Sequence, residues 1–193
     1  MSKIDLVVLG FLKRKPMHGY EIAGYFSKHG LDLWVKVKTP SVYKALNRLE
    51  EQKYIVGKME KVGSNPPRKV FNITASGREY FSQLLENTFK TGEKGSPLDY
   101  WNAMRFVQGN LTENAFIEII EFREKFLENL KEKMRQKCEM AQEGEGINEL
   151  PFYGKIMVEA MHKIRKIEIE TLAKLKTSAQ LPENKKIFIQ ENK

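Results

Sequence analysis

Between Tyr54 and Thr74 two short β-rich runs, YIVGKMEK and RKVFNIT, flank the turn formers of VGSNPP. Gly63, Ser64, Asn65, Pro66 and Pro67 favour reversal of the chain, so the stretch reads as a β-hairpin with a polar tip. What surrounds it is helical. Ile4 to Lys15 sets Leu6, Leu9, Phe11 and Leu12 at helical spacing, with Val7 and Val8 widening the apolar face. Pro16 breaks that helix, and a second runs from His18 to Lys28 with Gly30 closing it. Leu31 to Lys38 alternates apolar and polar residues, the pattern of an extended segment. Thr39 then suits an N-cap and Pro40 the first helical position. In this third helix Val42, Ala45, Leu46 and Leu49 form the i, i+3, i+4, i+7 stripe of a core-facing side. Ser41, Lys44, Asn47, Arg48 and Glu51 fall opposite, with Tyr43 at the flank. After the hairpin Thr74 caps a further helix, TASGREYFSQLLENTF. Helix, helix, helix, hairpin, helix is the order expected of a winged helix-turn-helix.

Beyond TGEKGSP, the clearest linker, the sequence reads as helix throughout. A short helix covers LDYWNAMRFV, a long one spans Thr112 to Glu143 with Thr112 as cap, and a third spans Pro151 to Ser178. The apolar residues of the long pair cover more than one narrow stripe, and three helices cannot bury that much surface among themselves. A second copy of the chain is the economical cover. Leu181-Pro182 ends the helical pattern. The expected organisation is a winged helix-turn-helix over residues 1–91, a linker over 92–97, a helical dimerisation domain over 98–179 and a tail over 180–193. The fold class is mainly α with a two-stranded β-wing.

Charge narrows the function. The net charge of +8 falls entirely within residues 1–95, while the remainder balances. From Leu33 to Leu49 there is no acidic residue, yet Lys36, Lys38, Lys44 and Arg48 lie there. This asymmetry favours an anionic partner for the first half. The longest apolar run, Leu6 to Leu12, is too short to span a bilayer, and it follows Asp5 instead of the basic stretch of a secretory signal. The single cysteine, Cys138, excludes an internal disulfide framework and suits a reducing cytoplasm. Three scattered histidines give no metal-ligand spacing, and no cofactor signature is present. No nucleophile–base pair or phosphate loop points to an enzyme.

Three stretches in order, LGFLKRKPMHGYEI, TPSVYKALNRLEEQKYI and PPRKVFNITASGRE, resemble the PadR family of transcriptional regulators, over roughly the first ninety residues. The helical second half is similar in layout to the longer subfamily, whose C-terminal domain dimerises. The resemblance implies a cytoplasmic homodimer, a repressor, on a pseudo-palindromic site in double-stranded DNA. Helix 3 would lie in the major groove. Lys44 and Arg48 suit phosphates or guanine acceptors, Asn47 suits adenine, and Ser41 and Tyr43 suit phosphate. Lys61, Asn65, Arg68 and Lys69 of the basic hairpin suit backbone or minor groove. His18, Gly19 and Tyr20 read as packing residues, with Tyr20 turned inward. Trp101, Tyr153, Met157, Met161 and His162 suit plain core or a dimer seam as well as an effector pocket. The resemblance implies the pocket, since some members release DNA when a small aromatic molecule binds. The alternative for the whole chain is a winged-helix module for protein–protein assembly, with no DNA affinity.

Overall fold

The structure is a computed structural model that describes residues 3–28, 38–61, 67–90, 97–140 and 150–190, with backbone alone for Ser27 and for residues 137–140. The expected extended segment at 31–37, the tip of the hairpin at 62–66 and the linker at 91–96 lie outside the described residues. The chain divides into two compact units, one of residues 1–91 and 95–106, the other of residues 92–94 and 107–193.

The first unit is built around α1 (Lys3–Arg14), whose residues from Asp5 to Leu12 are all buried. Val7 and Val8 do more than widen a stripe, because neighbours enclose this helix on most of its circumference. Gly10 shows how closely they approach: a Cβ there would stand 2.5 Å from the Phe106 ring. Next come β1 (Met17–His18), α2 (Gly19–Lys28), α3 (Thr39–Glu51), β2 (Ile55–Glu60), β3 (Arg68–Ile73) and α4 (Ala75–Lys90). The strands form an antiparallel sheet in the order β1-β3-β2. The wing is therefore more than a hairpin. Met17 pairs with Phe71 and His18 with Val70, so His18, read as the start of a helix, joins Met17 in a third strand instead. The His18 N–H is taken by the Glu21 carboxylate at 2.7 Å, which closes the first turn of α2 from inside.

The buried side of α3 is the expected one: Val42, Ala45, Leu46 and Leu49. Its start differs from expectation. Lys38 occupies the cap position, Thr39 is already helical, and no side chain caps the helix. Its end is better determined. Lys53 adopts the left-handed conformation, φ 61°, while its N–H reaches Glu50 O at 2.9 Å and that of Tyr54 reaches Leu49 O at 2.9 Å. These two bonds make a Schellman ending and turn the chain directly into β2. Thr74 caps α4 as expected, its Oγ1 accepting the Gly77 N–H at 3.0 Å. Gly77 has no alternative here, since a Cβ would sit 2.0 Å from Tyr54 O.

The stretch read as the first helix of the second domain, α5 (Pro97–Ala103) with a 3-10 turn at Met104–Phe106, belongs to the first unit. Tyr100 packs edge-on to Phe89, and Phe106 to Phe81. Aromatic burial against α4 decides this, and composition could not reveal it.

In the second unit α6 (Glu113–Met140) and α7 (Phe152–Ala179) run antiparallel. Thr112 Oγ1 caps α6 by accepting the Ala115 N–H at 3.2 Å. Arg123 and Glu168 form a buried pair at 2.8 Å across the two helices. The final residues are no loose tail. A 3-10 turn at Pro182–Ile187 brings Ile187 O onto the Gly109 N–H and the Ile189 N–H onto Leu111 O, both at 2.9 Å. Phe188 is thereby buried against Phe116. The aromatic at 188 was the available signal in the sequence. Among the described residues, no helix is long and apolar enough to cross a membrane.

Candidate nucleic-acid interface

The face of α3 opposite its core stripe is solvent-exposed at Tyr43, Lys44, Asn47 and Arg48, and half-buried at Ser41. Lys44 and Asn47 lie one turn apart on that face, a cation and an amide with their hydrogen-bonding groups in water. Arg48 is engaged differently. Its guanidinium pairs with Asp5, a carboxylate from α1 that is only 2% exposed. The expectation that this side chain points away from the core is corrected: Asp5 lies beneath α3, and a buried carboxylate draws the nearest arginine toward it. Arg48 keeps 44% of its side-chain surface, so it both anchors the helix and contributes charge outside. Tyr54 and Tyr80 complete this cluster, stacked at 4.3 Å with 12° between their planes. Burial and the Asp5 charge together hold the Tyr80 hydroxyl above its ordinary range, Tyr54 adding to the rise and Arg48 opposing it.

The wing is fastened to the end of α3 by one acid. Glu50 accepts the Gly57 N–H at 3.1 Å and the Lys69 ammonium at 2.7 Å. Gly57 leaves room for both, since a Cβ would stand 2.1 Å from Lys69 Cε. Lys69 is thus committed in the same way as Arg48, held at its tip while still partly exposed. Arg68 and Lys61 are exposed on the two arms, and Asn65 lies outside the described residues. Arg68 stands 5.4 Å from the centre of the Tyr20 ring, and Tyr20 stacks on His18 at 5.3 Å. His18 Nδ1–H in turn donates to Lys69 O at 3.2 Å. Tyr20 does not pack inward. It is 51% exposed and supports the guanidinium of the wing through a cation–π contact. Sequence reasoning missed this pair, because the amphipathic period of α2 does not foretell that β1 would carry His18 to the sheet edge.

A short helix with a polar, basic outer face, fastened at its end to a basic wing, defines a winged helix-turn-helix domain. Residues 8–83 match the family described as Transcriptional regulator PadR-like family. The chain is therefore similar to that family over its winged-helix part. A protein of Lysinibacillus sphaericus, "Uncharacterized protein X", is 28% identical over 83 residues, which are 43% of this chain and 75% of that one. The "Negative transcriptional regulator PadR" of Bacillus subtilis (strain 168) is 25% identical over 85 residues, 44% of this chain and 46% of that one. The chain thus spans less than half the length of this second relative. Among solved structures, a transcriptional regulator from Clostridium thermocellum is 29% identical, covering 47% of this chain and 84% of its own, with a TM-score of 0.41. Bacillus subtilis PadR in complex with operator DNA is 15% identical, covering 93% of this chain and 99% of its own, also with a TM-score of 0.41.

The residues suggested as an effector pocket fall in both units. Trp101 belongs to α5 of the first unit, whereas Tyr153, Met157, Met161 and His162 belong to α7 of the second. Tyr153, Met157 and Met161 recur every fourth residue on an exposed flank of α7, together with Phe152, Ile156, Ile164 and Ile167. His162 faces elsewhere, toward a groove of about 680 Å³ between α6 and α7. Groups of acidic, histidine or cysteine side chains able to hold a metal ion do not occur among the described residues.

Proposed function

We propose that the protein is a DNA-binding transcriptional regulator that acts as a homodimer on a pseudo-palindromic operator, in the cytoplasm, and that it represses. The observation that carries this reading is the joining of two exposed features on one PadR-like domain: the Lys44–Asn47–Arg48 face of α3, and a wing bearing Lys61, Arg68 and Lys69. An α-helix with such a face fits the major groove, where lysine and arginine meet phosphate or guanine and asparagine meets adenine. Ser41 and Tyr43, at the start of the helix, are suited to phosphate. Arg68, held over Tyr20, is suited to backbone or minor groove, as is Asn65 by residue type. Repression follows the name of the Bacillus subtilis relative.

The dimer is supported by α7. Seven large apolar side chains between Phe152 and Ile167 are exposed, Phe152 at 77% and Met157 at 64%. A continuous row of this kind is uncommon on a lone folded unit, and a second copy presenting the same row would cover it. A small aromatic effector acting on the helical unit completes the reading, with Tyr153, Met157, Met161 and His162 as its candidate residues.

The test starts from genomic fragments retained by the purified full-length protein, sequenced and shortened to a binding site. Lys44→Ala should weaken binding far more than Glu51→Ala does. It should also flatten the plot of log affinity against log salt by about 0.9 if Lys44 contacts a phosphate. Retention of no DNA at low salt, or equal binding by parent and Lys44→Ala at every salt concentration, would leave the winged helix as a protein–protein module.

A further inference from the structure

The groove between α6 and α7 contains a cation with no carboxylate partner among the described residues. Arg165 is 7% exposed, more deeply buried than the arginines of the α3 face or the wing. Its neighbour in burial, Arg123, has the Glu168 carboxylate at 2.8 Å. Arg165 has no carboxylate within ion-pair distance among the described residues; its hydrogen-bond acceptor is the thioether of Met134, reached by Nη2 at 3.1 Å. A thioether is a weak acceptor, and a guanidinium carries five N–H donors. Burying a cation on such terms is costly unless an anion joins it.

The remaining walls say what kind of anion. Met134 and Ile169 form an apolar floor; Lys131, Lys166 and Arg135, the last paired with Glu132, stand at the rim, with Glu170 as the single acid lining the groove among the described residues. A volume of about 680 Å³ lies within the usual range for small-molecule sites, and far exceeds what a lone inorganic anion fills. At roughly 100° per residue, the groove flank of α7 (His162, Arg165, Lys166, Ile169) lies opposite the exposed apolar row from Phe152 to Ile167. A partner subunit seated on that row therefore leaves the groove open.

We infer that this groove is a binding site for an amphiphilic monocarboxylate, a free acid with an elongated apolar body. Its carboxylate takes the paired N–H groups of Arg165, and its apolar chain lies along Met134 and Ile169. The rim cations add attraction for the acid that an uncharged alcohol does not feel. Planar, bidentate recognition is what a guanidinium offers a carboxylate, and burial makes it strong. This assignment stands apart from the DNA-binding reading, because ligand binding is measured on the protein alone.

Dodecanoate, titrated calorimetrically into the full-length chain below its micelle concentration, is the probe. One molecule per chain should bind, and dodecanol and dodecyltrimethylammonium should bind at least about tenfold more weakly. Arg165→Met should lower dodecanoate affinity by about tenfold or more while leaving the unfolding temperature unchanged or raised, since an apolar residue no longer needs the missing anion. Should that variant fail to fold, Lys131→Gln and Lys166→Gln, both at the exposed rim, should each weaken dodecanoate and leave dodecanol unaffected. Absence of heat with dodecanoate, equal binding of dodecanol, or undiminished binding by Arg165→Met or by both rim variants would overturn the assignment. So would dissociation of the dimer by Arg165→Met without dodecanoate binding by the parent, which would show that a second copy fills the groove.

Discussion

Arg48→Ala should unfold the first unit more readily, although the side chain lies on the outer face of its helix. Its partner Asp5 is 2% exposed, so truncation leaves a carboxylate in the core with its nearest cation gone. Breaking a fully buried pair costs about 3–5 kcal/mol. Two features reduce that figure. Arg48 is itself 44% exposed, so part of the pair already faces water, and neither group depends on the other alone. A loss of about 1–3 kcal/mol is therefore expected. Urea unfolding at neutral pH measures it, with Asp5→Asn and the double variant completing a cycle. The coupling energy should be at least about 1 kcal/mol, because Arg48→Ala should cost little once Asp5 is uncharged. Parental stability in Arg48→Ala, or a coupling below about 0.5 kcal/mol, would refute the structural role. The consequence for function is practical. Loss of DNA binding in Arg48→Ala mixes contact with stability, whereas Lys44→Ala isolates contact.

Gly77→Ala should destabilise the same unit by about 1–3 kcal/mol or more, since its Cβ would stand 2.0 Å from Tyr54 O and the backbone there is fixed by the end of α3; thermal unfolding checks this. Tyr80 should ionise late. Its folded-state pKa is raised, so its contribution to stability is full below its unfolded value of 10.0 and lost as pH rises through the folded one. Stability should therefore fall more steeply on the alkaline side in the parent than in Tyr80→Phe, and absorbance titration should show the late phenol step only in the parent. Ile156→Lys with Ile164→Lys should convert the proposed dimer to a monomer in sedimentation with little change in helicity, because both positions are largely exposed within one chain. Persistence of the dimer in that double variant would place the seam elsewhere.

The sequence alone determined the elements that depend on near neighbours. The stripe of Val42, Ala45, Leu46 and Leu49, the cap at Thr74, the cap at Thr112 and the turn-rich hairpin each follow from side chains within a few residues, where periodicity and backbone chemistry act. It also determined the basic character of the first half, which is a matter of counting charges. Tertiary structure decided whatever depends on contacts distant in sequence. Arg48 looks like any exposed helix residue until Asp5, 43 residues earlier, is found beneath it. Met17 and His18 extend the sheet only because β3 offers them an edge, and Tyr20 is exposed only because His18 and Arg68 are drawn to that edge. The ending at 180–190 and the placement of α5 turn on single aromatic residues finding partners far along the chain. Arg165 belongs to this second class. Its type and spacing resemble those of any cation on a long helix, and only the approach of α6 removes it from water. Burial is a property of the assembled fold, and it gives a cationic side chain a surface role at Lys44 and a demand for a counter-charge at Arg165.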